Sequence, residues 1–121
     1  MRDWPATLDR LEALRPRALV PGRGAALTTP EACKAGLDGT RDFIRTMYGA
    51  VEAGAKAGRP LNAVYKETYA TLKPKFGHWV IFDHCLPFDV TRAYDEATQY
   101  PDPRIWTAQR DIDMWKALEG S

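Results

Sequence analysis

Histidine is scarce in this chain, with only His78 and His84 among 121 residues. A catalytic zinc centre takes three protein ligands around an open position, and a two-metal centre takes more. Two histidines alone cannot build either. Cysteine is equally sparse: Cys33 and Cys85 lie far apart, without metal-site spacing or the density of a disulfide scaffold, and both read as small apolar residues. No excess of charge of one sign exists either, since 17 basic residues face 16 acidic ones for a net charge of +1. That balance excludes a global field able to recruit nucleic acid or an anionic membrane, and neither a basic stripe nor a zinc-finger spacing is present. Long apolar runs are also missing. The longest candidate, W-V-I-F at 79 to 82, falls far short of the roughly 18 residues of a membrane span, and M-R-D-W-P-A-T lacks the apolar segment of a secretory signal. The expectation is a cytoplasmic chain with no nucleic-acid and no membrane partner.

What is present is helical periodicity. Asp3 and Pro5 suit the start of a helix in which Leu8, Leu11 and Leu14 recur at helical spacing up to Pro16. Ala18-Leu19-Val20 then predicts a short strand, broken by the turn pair Pro21-Gly22. From Thr28 the pattern is helical nearly throughout. Thr28 and Glu31 have capping-box spacing, and Leu37, Ile44, Met47, Tyr48 and Val51 form one stripe, with Gly36 and Gly39 weakening its first turns. A second stripe, Leu61, Val64, Tyr65, Thr68 and Leu72, closes at Pro74 and Gly77. The short Gly-Arg-Pro connection between the stripes predicts an antiparallel helical hairpin. A third helix is expected after Pro87, and a final one capped by Asp102. In that last helix Ile105, Ala108, Ile112, Trp115 and Leu118 recur three or four residues apart as a narrow apolar seam, widened by Trp106 and Met114. The fold class is therefore mainly α: an amino-terminal helix and short strand over 1-27, then a helical hairpin and two further helices over 28-121.

Residues 3 to 24, D-W-P-A-T-L-D-R-L-E-A-L-R-P-R-A-L-V-P-G-R-G, carry a family signal. They resemble the closing part of the metallo-β-lactamase fold, the family of glyoxalase II-like and other zinc hydrolases. Members carry a helix of pattern W-x-x-x-L-x-x-L and then a strand ending in Pro-Gly-His-Gly, whose histidine binds the second metal. Trp4, Leu8, Leu11, Leu14, Pro16, Val20, Pro21, Gly22 and Gly24 match. The ligand position is held by Arg23, a cation with no lone pair to donate. The family's His-x-His-x-Asp-His signature has no counterpart here. More faintly, the segments around F-D-H-C-L-P-F-D-V-T-R-A-Y-D-E-A and P-R-I-W-T-A-Q-R-D-I-D-M-W look like the helical extensions of some bacterial members, which cover the active-site mouth or the dimer face. The resemblance implies a carboxy-terminal helical portion of a zinc hydrolase. Such a portion binds no cofactor alone and has as its partner an N-terminal metallohydrolase half or a second copy.

Other candidate residues carry two readings each. Arg23 is either an anion contact on a glycine-flanked turn or a solvated turn residue. His78, Asp83, His84 and Cys85 are the densest group of potential metal ligands, yet Trp79, Val80, Ile81 and Phe82 beside them point to packing. The seam residues Ile105, Trp106, Ile112, Met114, Trp115 and Leu118 cover either their own hairpin or another molecule. A free-standing helical interaction or oligomerisation module is the alternative to the hydrolase portion.

Overall fold

The computed structural model describes residues 1-120, and among them the order is α1 (Trp4–Ala13), α2 (Pro30–Lys56), α3 (Leu61–Phe76), α4 (Phe82–Gln99) and α5 (Ala108–Glu119). The mainly α architecture and the α2–α3 hairpin are as the periodicity predicts. Two compact units share the chain: Asp3–Arg45 forms one, and Met1–Arg2 with Thr46 onward forms the other. The division falls inside α2, whereas the sequence pattern changes near Leu27.

In the unit of residues 3-45, Leu8, Leu37 and Ile44 form a small buried core with Leu19 and Phe43 packed against it. The predicted strand at 18-20 is not formed. A single antiparallel bridge joins Leu19 to Leu27, each N–H donating to the other's carbonyl at 2.8 Å. The next hydrogen-bonded pairs of such a ladder would need an N–H from residue 21, which is proline, and from residues beside Pro30, where α2 already begins. Gly36 permits this bridge to sit close to the helix: a Cβ there would lie 2.5 Å from Leu27 Cδ1. Its place in the early turns of α2 is thus a packing requirement, and the helix is continuous through it. The cap of α2 is Thr29 and not Thr28, its Oγ1 accepting from Ala32 N at 3.1 Å. Asp3 makes no side-chain cap; its carbonyl takes the N–H of Thr7 instead.

The unit that starts again at Thr46 is better filled. Met47, Val51, Val64, Leu72, Leu86, Val90, Ala93 and Met114 are wholly or almost wholly buried. Gly54 allows α2 and α3 to approach closely, since a Cβ there would stand 2.7 Å from Val64 Cγ2, and Gly58 turns the chain at φ +69°. Pro74 does not end α3, which continues to Phe76; so near the last turn its missing donor costs one hydrogen bond. Likewise α4 begins at Phe82, five residues before Pro87, whereas the sequence predicts a start after that proline. The reason is burial: Phe82, Leu86, Val90 and Ala93 recur at three and four residues on one face, and α4 lays that face on α3. The final helix starts later than expected. Thr107, not Asp102, caps it by accepting from Arg110 N at 3.0 Å, which leaves Ile105 and Trp106 outside the helix.

What orients α5 is a buried ion pair. Arg110 Nη2 lies 2.8 Å and 3.0 Å from the two oxygens of Asp95 on α4, and Nε adds a third bond at 3.1 Å. Arg110 and Met114, one turn apart, are the buried residues of α5. Removing one partner of such a pair strands a charge in the interior, at a cost of about 3–5 kcal/mol. Arg110→Leu is therefore expected to lower stability by about that amount in urea denaturation, and adding Asp95→Leu to recover a large part of the loss.

Candidate functional site

Arg23 sits on the turn that follows the Leu19 bridge. Gly24 beside it has φ +94°, a left-handed conformation for which glycine has no steric penalty, and nothing lies within 4 Å of a Cβ built at Gly22. Arg23 is exposed and makes no hydrogen bond or ion pair among the described residues. The glycine-flanked turn thus presents a guanidinium. Among the described residues no three His, Cys, Asp or Glu side chains are grouped to hold a metal ion.

Charge in the same unit is spent on structure. Arg41 is only 8% exposed and binds Asp9 at 2.9 Å, Glu12 at 2.7 Å and Asp38 at 2.6 Å, so one guanidinium ties α1 to α2. Lys34 adds Glu12 at 3.3 Å and Asp38 at 2.8 Å. A cavity of about 330 Å³ opens beside this network, with Cys33 and Leu37 in its wall and Glu12, Arg15 and Lys34 around it. Glu12 and Lys34 are already paired, which leaves Arg15 as its one uncommitted charge. Cys33 is buried there, its Sγ 3.6 Å from the carbonyl of Leu27. Apolar surface is the other feature of this unit. Leu14 is 75% and Val20 83% exposed, with Trp4 and Leu11 also uncovered.

In the other unit the four potential ligands lie as follows. Asp83 accepts from Lys73 Nζ at 2.9 Å and from the Tyr69 hydroxyl at 2.9 Å, and these bonds hold its carboxyl below the usual range. His84 is exposed and faces the ring of Phe88 at 6.2 Å, while His78 lies exposed in the turn before α4 and Cys85 is half-buried. The amino group of Met1 and the N–H of Arg2 bind Glu96 at 2.6 Å and 3.0 Å, joined by Arg92 at 3.1 Å. Burial works to raise the pKa of Glu96, but these bonds prevail and lower it.

The predicted seam is divided by the structure. Met114 belongs to the core and is removed from the interface set; Leu118 is partly covered. Ile112 remains 47% and Trp115 42% exposed, and Ile105 and Trp106 are exposed ahead of the helix. Phe88, which the sequence reading did not single out, supports this surface: its ring meets Trp106 at 5.5 Å and Trp115 edge-on at 6.2 Å. Position 88 is two residues from both Leu86 and Val90, about 200° around the helix from the buried stripe of α4, so the apolar periodicity gives no signal for it.

Comparison with family models finds no match, and comparison with curated proteins finds none.

Asp89, next to Phe88, is a second residue missed by the sequence reading. It is half-buried without a hydrogen bond or ion pair among the described residues, and withdrawal from water pushes its carboxyl up to about 6. The folded chain keeps the proton to about that pH, whereas the unfolded chain releases it near 3.8. Its contribution to stability is therefore full below the lower value and lost as pH rises to the upper one. Asp89→Asn should gain ~1–3 kcal/mol over the wild type at pH 8, from the size of the shift, and the gain should vanish near pH 3.5 in the same urea titration.

Proposed function

We propose that this chain is the carboxy-terminal helical portion of a metallo-β-lactamase-like hydrolase, not catalytic by itself, which covers and closes a half that supplies the metal ligands. One observation carries the reading. In the unit of residues 3-45, the first helix and the bridge segment leave apolar side chains uncovered at Trp4, Leu11, Leu14 and Val20, where a folded unit of this size would be expected to bury them. The backbone next to the bridge points the same way. Leu19 uses both its polar groups on Leu27, while Ala18 and Val20, whose groups face the opposite side, have no partner among the described residues. An open edge with apolar flanks is what a neighbouring sheet strand would cover. Arg23 then stands where the family carries a ligand, as a fixed positive charge in place of a metal-binding imidazole.

The intact mass of the polypeptide from its native source tests the reading. A mass well above 13.6 kDa, with a segment bearing the His-x-His-x-Asp-His pattern and bound zinc, is expected. A native polypeptide of 13.6 kDa that carries no such segment overturns it.

A second reading is favoured by the exposed Ile112 and Trp115: the α5 face mediates self-association. Burying a tryptophan and an isoleucine across such a contact contributes a few kcal/mol, on the order of 25 cal/mol per Å² of apolar area. Trp115→Asp should weaken association at least tenfold in sedimentation equilibrium. Undiminished association in that variant would sink this second reading.

A further inference from the structure

The buried side of α5 is marked by Arg110 and Met114, so the opposite side is free. On it Ala108, Ile112, Trp115 and Glu119 are all exposed, and Ile105 precedes them. Within the helix the steps from Ala108 to Ile112, Trp115 and Glu119 are four, three and four residues, the spacing of the inner seam of a two-helix coil. At 100° per residue, Asp111 and Lys116 fall on the two flanks of the Ile112–Trp115 stripe. The signs of those flanks matter. In a parallel pair, each flank meets the opposite flank of the other helix, offset by five residues, which sets Asp111 of one copy against Lys116 of the second. In an antiparallel pair each flank meets its own kind, and the like charges face one another.

We propose that α5 pairs side by side and parallel with α5 of a second copy of this chain, with Asp111 of each copy bound to Lys116 of the other. The inference rests on the self-association reading above and gives it an orientation. Both charges are available for the role. Lys34, Arg41, Lys73, Arg92 and Arg110 each have a carboxylate partner in their own chain; the side chains of Asp111 and Lys116 have none among the described residues. Trp115 is also prepared. Its edge-on contact with Phe88 restricts the ring before a second copy arrives, so less side-chain freedom is lost on association. The seam is short, with Ile112 and Trp115 its only large apolar residues inside the helix. The contact is therefore small, below about 1,200 Å² in total, and belongs with weak, concentration-dependent associations.

Charge exchange on the full chain tests the orientation. Asp111→Lys alone and Lys116→Asp alone should each weaken association at least tenfold in sedimentation equilibrium at low salt. An equimolar mixture of the two variants should restore it to within about threefold of the wild type, because each copy then offers the sign that the other lacks. High salt should narrow these differences. Disulfide trapping gives a second reading that does not require a charge change in the first turn of α5: Ile112→Cys in a Cys85→Ser background should cross-link to its counterpart under mild oxidation, since a parallel seam sets position 112 against itself. A wild type that associates while the mixture is not restored and the Ile112→Cys chain does not cross-link overturns the parallel pairing and leaves the self-association reading standing. A wild type that stays monomeric to millimolar concentration overturns both.

Discussion

The pair between Arg110 and Asp95 decides what the second unit presents to its surroundings. Two charges in the interior are costly unless each finds its partner at good geometry, and here the guanidinium makes three bonds to one carboxylate. That requirement fixes the rotation of α5 about its own axis. Met114, one turn on, follows Arg110 inward, and Ile112 and Trp115 are carried outward by the same rotation. The apolar seam is thus exposed because a polar residue claimed the inner face. Phe88 gives that exposed side a partly ordered aromatic support, and Thr107 sets the point from which the rotation is counted.

The helices were legible in the sequence because their buried stripes repeat at three and four residues, and the hairpin was legible because Gly58 and Pro60 interrupt those stripes at one place. Their ends were less so. Proline reads as a boundary from local chemistry, but Pro74 and Pro87 both lie inside helices whose burial outweighs one lost hydrogen bond. The capping residues were displaced for a related reason: Thr28 with Glu31, and Asp102 with Pro103, have the right types and spacing, while Thr29 and Thr107 hold the caps. Arginine was harder still. Nothing in its neighbours says that Arg110 is buried or that Arg41 will bind three carboxylates, since each partner set is assembled from separate elements. For the candidate site, the seam positions could be named from spacing, but which side of it faced inward could not, because apolar pattern alone favours burying Ile112 over Arg110.

The two units differ in how completely they satisfy themselves. The unit of residues 3-45 holds its helices with one small apolar cluster and the Arg41 network, and leaves Trp4, Leu11, Leu14 and Val20 exposed. The other has a core of residues from Met47 to Met114 and an exposed apolar face on α5. Both readings of function come from this contrast. A surface flanking an open backbone edge suits a sheet, whereas a helix face with charged flanks suits another helix.

The two thiols inherit the same partition. Cys33 is enclosed in the first unit against the Leu27 carbonyl, and Cys85 is half-accessible near the start of α4 in the second. A thiol is attacked only as a reachable thiolate. Alkylation of Cys33 thus becomes a clock for local opening of residues 3-45, running against the faster labelling of Cys85, so that the chain carries its own pair of chemical reporters on how independently its two halves come apart.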